Sequence, residues 1–140
     1  MEIKLCYKSY PFKITSDACK TFHDLTGLDL QSVFIDYLEL ISTTQSTTVL
    51  SRMSELQKVT GRYIAAKAIH CLVRQENKSI SLDEIEDATF RVGWLPTDDE
   101  SGWIEPWPIV MVDIATQINK YYMDNIPTKK SVMSGSQNDK

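Results

Sequence analysis

"EIKLCYKSYPFKIT", residues 2–15, alternates its faces residue by residue. Ile3, Leu5 and Tyr7 fall on one side, with Glu2, Lys4 and Cys6 on the other. After Lys8-Ser9 the alternation resumes, with Tyr10, Phe12 and Ile14 set against Lys13 and Thr15. Period two is the pitch of a pleated strand, so the stretch predicts a β-hairpin with one apolar face. A lone hairpin is marginal in water, and its apolar face must therefore lie on other elements. Those elements are expected to be helices.

Ser16 is placed to cap a first helix, Asp17 suits its opening turn, and Gly27 stops it. Ala18, Phe22 and Leu25, at i, i+4 and i+7, form its inward stripe. Asp29 caps a second helix, in which Leu30, Val33, Phe34, Tyr37, Leu38 and Ile41 follow the helical period without a break. "STTQSTT", residues 42–48, is polar and aperiodic, and predicts a mobile connection inside one domain.

A long helix is expected from Val49 to Gln75. Gly61, Ile64, Ala65, Ala68 and Leu72 mark one face, while Lys67, His70 and Arg74 mark the opposite one. The small residues would admit a closely packed neighbour. Ser81 and Glu84 then spell a capping box, with Ile80 and Ile85 placed to close a hydrophobic staple around it. Ile85, Ala88 and Val92 point that short helix inward, and Gly93 ends it. Residues 93–108 read as a loop rich in proline and tryptophan. A last helix starts near Pro106 or Pro108, where proline is tolerated in a first turn. Its apolar stripe is Met111, Ile114, Ala115, Ile118, Tyr121 and Tyr122, and Ile126-Pro127 ends it. The polar residues 127–140 are expected to be disordered. The expected fold is therefore α+β and mainly α, an N-terminal hairpin on a bundle of about five helices, with residues 1–126 as one domain.

The totals agree with that size. A chain of 140 residues buries roughly two thirds of its unfolded surface and needs no disulfide or metal to hold a core. A net charge of −4 with no basic run argues against nucleic acid as the main partner. Three widely spaced cysteines without a CxxC pair suit free thiols in a reducing cytoplasm. Neither a signal peptide nor an apolar run long enough for a bilayer span is read in the sequence, so no membrane partner is expected.

Several residue groups invite a chemical reading. Cys19 and His23 share a helical face, but zinc chemistry asks for three or four ligands, and the only other histidine, His70, has no ligand near it in sequence. A half-buried Cys19 and a surface His23 account for the pair. In "LDEIED", Asp83, Glu84, Glu86 and Asp87 complement the helix dipole as solvated charge. "TDDES", residues 97–101, lacks the ligand spacing of a calcium loop. No phosphate-binding glycine loop, nucleophile elbow or zinc-protease motif is present. We expect no catalytic residue, no cofactor and no metal.

What remains is a binding role. Trp94, Trp103 and Trp107 either anchor a partner or pin a long loop to the core. Met111, Tyr121 and Tyr122 on the final helix complete the candidate partner-binding set, and Met53 and Met123 add adaptable apolar groups. The mode expected is a partner helix received through i, i+3, i+4 and i+7 anchors.

Over residues 3–92 the order of elements resembles the tail assembly chaperones of long-tailed bacteriophages, the lambda gpG-like family. The hairpin "IKLCYKSYPFKIT" leads into "SDACKTFHDLTGLDL", which is similar to the family's ACxxFExxTGxxL-like helix. "QSVFIDYLELI" follows, and "SLDEIEDA" is similar to its SxEEVEDL-like segment. The resemblance implies a non-enzymatic protein of the host cytoplasm that binds the tape measure protein and helps recruit tail tube subunits, yet is absent from the finished virion. It also implies a second, frameshifted product, for which Lys129-Lys130 would mark a slippery codon run. A phage connector or another small helical interaction module is the alternative.

Overall fold

The computed structural model describes residues 1–43, 48–92, 97–99, 102–104 and 106–125. Two strands, β1 (Glu2–Leu5) and β2 (Lys8–Pro11), pair antiparallel with Ile3 opposite Tyr10 and Leu5 opposite Lys8. Cys6 and Tyr7 form the turn between them. Cys6 has φ 60°, a left-handed conformation that places the chain in a tight hairpin turn. The turn breaks the alternation expected through Tyr7, which is 61 % exposed rather than part of the apolar face. Ile3, Leu5, Tyr10 and Phe12 keep that face and are buried.

Six helices follow among the described residues: α1 (Ser16–Thr26), α2 (Leu30–Thr43), α3 (Val49–Leu56), α4 (Arg62–Val73), α5 (Leu82–Val92) and α6 (Trp107–Asn125). The architecture is α+β and mainly α, a hairpin on a helical bundle. The α1 cap is Thr15, one residue earlier than expected: its hydroxyl accepts from the Ala18 amide at 3.0 Å. At the other end Gly27, with φ 76°, donates to the His23 carbonyl at 2.8 Å. Ala18 and Phe22 are buried, whereas Leu25, in the last turn, is exposed. Asp29 caps α2 as expected, accepting from both the amide and the hydroxyl of Ser32.

The helix expected from Val49 to Gln75 is two helices. The break falls at "QKVTG", residues 57–61, where two β-branched residues precede a glycine. Thr60 is buried there and shares a 2.8 Å hydrogen bond with the Tyr37 hydroxyl, so the break is fastened to α2. Gly61, extended at φ −79° and ψ 173°, then opens α4. This helix is not amphipathic in the way the sequence implied. Ala65, Ala66, Ala68, Ile69, Cys71, Leu72 and Val73 are all buried, because α4 packs against α1, α5 and α6. A helix enclosed on most sides must be apolar on most sides. His70, expected on its polar face, instead bonds the Ile80 carbonyl at 2.9 Å and ties α4 to the start of α5.

The hairpin is held at both ends. Its apolar side chains enter the common core, and each large one contributes roughly 1.5–3 kcal/mol when removed from water. Gln117 of α6 clasps Glu2, donating to its carbonyl at 2.9 Å while accepting from its amide at 3.3 Å. Past the hairpin, the Lys13 amide donates to the Leu72 carbonyl at the end of α4.

The stretch expected as a loop, 93–108, contains a second small antiparallel pair. Strands β3 (Thr97–Asp99) and β4 (Gly102–Ile104) meet with Asp98 opposite Trp103. Trp103 and Ile104 are strand formers. Of the connection expected at 42–48, Ser42 and Thr43 belong to α2 and Thr48 caps α3, while residues 44–47, Gly93, the expected helix end at Ile126-Pro127 and the tail at 127–140 lie outside the described residues. Among the described residues, no helix is long and apolar enough to cross a membrane.

Candidate functional site

Helix α2 is apolar where it meets the core, through Leu30, Val33, Phe34 and Tyr37. Its period leaves Ile35 and Leu40 out of line, and of these Leu40 is half-buried against the core. Ile35 is 61 % exposed, although isoleucine on a solvent face gains nothing from being there. The reason for its position lies in the neighbouring helix: α6 packs along α2, and a groove of about 370 Å³ runs between them. Phe34, Ile35 and Leu38 line it from α2, and Ala115, Ile118 and Tyr122 line it from α6. Ile14 borders it as well. Gln31 closes one contact across it, donating to the Tyr122 hydroxyl at 3.3 Å.

The polar groups of the groove are few. Asp29 and Asn119 join Gln31 on its wall, and no described residue lining it carries a positive charge. The two hydrogen bonds from Ser32, aided by nearby His23, hold the Asp29 carboxyl below its usual range, so it is ionised. On the other side of α2 lies a shallower trough of about 320 Å³ facing α3. Asp36, Glu39 and Glu55 supply three carboxylates there. Its one cation, Lys58, is already paired with Glu55 at 3.1 Å.

The candidate residues from sequence divide sharply. Tyr122 lines the groove and meets Tyr121 edge to face, with ring centres 6.0 Å apart. Tyr121 is 47 % exposed. Trp107 and Met111 are in the core, at 3 % and 0 % exposure, and as folded they brace the first turns of α6 rather than offer a surface. Trp103 stands on β4, and Trp94 lies outside the described residues. The sequence reading passed over Ile35 and placed Leu38 in the core stripe of α2, whereas both line the groove. The available signal was Ile35 itself, a large aliphatic residue one step off an otherwise regular stripe.

Cys19 and His23 are half-buried and exposed, respectively. Burial, with Asp29 nearby, pushes the Cys19 thiol up, which keeps it protonated and a poor nucleophile or ligand. Among the described residues no three histidine, cysteine or acidic side chains gather where they could hold a metal. A second exposed feature stands on α4 and α5. The Arg62 guanidinium lies 4.4 Å from the Tyr63 ring centre and 5.1 Å from that of Phe90. This patch is a stacked ridge. The α2/α6 groove is concave and apolar, the form a binding site for an apolar side chain takes.

No protein-family model, no curated protein and no solved structure matches the chain. The site is therefore read from its own chemistry: apolar walls, an exposed aliphatic rim and one carboxylate, Asp29.

Proposed function

We propose that the chain is a non-enzymatic tail assembly chaperone of a long-tailed bacteriophage, and that it receives an apolar helix of the tape measure protein in the α2/α6 groove. The observation that carries the reading is Ile35, exposed on the rim of a groove whose walls are apolar. Helix-in-groove recognition uses such a surface, with successive turns of the guest helix placing side chains between two host helices. The tape measure protein as partner rests on the resemblance over residues 3–92, whose "ACKTFHDLTGLDL" becomes α1 and the cap and start of α2. In this reading the protein works in the host cytoplasm, covers apolar helical surface on the tape measure protein, and helps bring tail tube subunits to it.

Coexpression of the full chain with the tape measure protein of the same phage tests this. A soluble complex on gel filtration is expected, and Ile35→Asp should abolish it without unfolding the protein. The absence of any complex overturns the reading. Recovery of the chain from purified virions at a structural copy number would instead assign it as a connector.

A further inference from the structure

We propose that the chain carries its own competitor for the α2/α6 groove: residues 126–140, with Val132 and Met133 as the side chains that enter it. This inference rests on the groove being a docking site, because the tail and a guest helix claim the same apolar walls.

The place where the chain leaves the fold carries the argument. Tyr122 is the last groove residue on α6, and it meets Gln31 across the groove. The described chain ends shortly after it, at Asn125, so residues 126–140 start from one end of the groove. Their reach is ample. The residues from Tyr122 to Val132 extend to about 33 Å. The α6 wall from Tyr122 back to Ala115 is only about 10 Å of helix. Val132 and Met133 can therefore be laid against any part of that wall.

Composition points the same way. Val132 and Met133 are adjacent, and they are the only large apolar side chains among residues 128–140. Methionine is unbranched and fits irregular apolar spaces. At about 370 Å³ the groove is near the small end of ligand pockets, with room for a few side chains. Residues 126–140 also hold three lysines and one aspartate, in a chain whose net charge is −4. The one charged group among the described residues lining the groove is Asp29, which is ionised. A segment tethered so near acts at an effective concentration of about a millimolar. A guest then binds with an affinity lowered in proportion to the fraction of grooves left open.

Methyl NMR of the full chain tests this. Cross-relaxation is expected between the Met133 methyl and those of Ile35, Leu38 or Ile118. The second measurement uses a fluorescent stapled helix with leucine at i, i+3, i+4 and i+7. It should bind the Val132→Ser, Met133→Ser chain about tenfold more tightly than the unaltered one. Both substitutions lie past Asn125, and circular dichroism verifies that the variant remains folded. Absence of the cross-relaxation, or equal affinity for the two chains, overturns the inference. The docking reading then stands on its own if Ile35→Asp still weakens the stapled helix. Cross-relaxation found only between differently labelled molecules in a mixed sample assigns the tail to a neighbouring copy and overturns the inference as well. A stapled helix that binds neither chain removes the docking site, and the competitor with it.

Discussion

The Tyr10 hydroxyl donates a 2.8 Å hydrogen bond to Glu84 Oε2, joining the N-terminal hairpin to the first turn of α5 across 74 residues of sequence. Lys8 Nζ reaches the same oxygen at 3.0 Å. Half of the expected capping box is present, since the Ser81 hydroxyl accepts from the Glu84 amide at 3.1 Å. The Glu84 carboxylate reaches outward to the hairpin, so a residue with a local signature makes a long-range tie.

That tie predicts an acid-sensitive contribution to stability. The bonds from Lys8 and Tyr10 hold the Glu84 carboxyl below its usual range. A carboxyl depressed in the folded state stabilises fully above its unfolded pKa of about 4.3, and the contribution is lost as pH falls through the folded value. Glu84 is 39 % exposed and Lys8 62 %, so solvent screens the pair and the expected gain at neutral pH is about 1 kcal/mol or less. Glu84→Gln should lower the urea midpoint at pH 7 and narrow the gap to wild type near pH 3. A double-mutant cycle with Tyr10→Phe should show coupling at pH 7 that fades in acid. An unchanged gap across that range would dissolve the tie.

A second prediction concerns Tyr37 and Thr60, whose 2.8 Å hydrogen bond lies in the core. Burial pushes the Tyr37 hydroxyl up to about 12, so it is neutral at any working pH. Tyr37→Phe leaves the Thr60 hydroxyl buried without its partner and should cost about 1–3 kcal/mol. Adding Thr60→Val removes the orphaned group and should cost less than the two single changes summed. Chemical denaturation of the three variants measures this, and simple additivity would show that the bond contributes nothing specific.

The same pair marks the limit of what could be read from sequence. Caps and stripes are local, and Asp29, Ser81, Gly27 and the α2 stripe stand where the residues themselves place them. The α3/α4 break was missed because residues 49–75 keep a helical period through it, and the Thr60 hydrogen bond to Tyr37 that fastens the break to α2 is tertiary. The enclosure of α4 was hidden for a similar reason, since Lys67, His70 and Arg74 look like a solvent face until α5 packs beside them. Trp107 and Met111 were legible as large apolar residues, but their burial depends on how α6 docks. The groove depends on two helices, α2 and α6, with α3, α4 and α5 between them in sequence, and only Ile35 hinted at it.

Two glycines should respond in opposite directions. Gly27 sits at φ 76°, where a side chain is strained even though nothing lies within 4 Å of a new Cβ. Gly27→Ala should therefore cost about 1 kcal/mol, from backbone strain alone. Gly61 has ordinary angles, equally open space and no side-chain cap of its own. Gly61→Ser supplies a capping hydroxyl for α4 and restricts the unfolded chain, and should raise stability by about 0.5–1 kcal/mol. Thermal melts separate the two cases, and a destabilising Gly61→Ser would mean that the start of α4 is not the open cap described.

The thiols report on the central helix directly. Cys71 is 1 % exposed within α4, and burial pushes its thiol up to about 11, so at neutral pH it is both shielded and protonated. Cys19 is half-buried and also raised, while Cys6 is half-buried in the hairpin turn. Thiolate is the reactive species, and access decides how quickly a reagent meets it. In native protein at pH 7, Cys71 should resist a maleimide long after Cys6 has reacted, and mass spectrometry of digests should show the order. Labelling of Cys71 should begin only with global unfolding, because α4 packs against α1, α5 and α6 and none of these can leave without exposing the core. Its rate should therefore fall when Gly61→Ser stabilises the fold and rise when Tyr37→Phe weakens it. Labelling of Cys71 that ignores both changes would mean that α4 opens by itself, and would remove it from the centre of the fold.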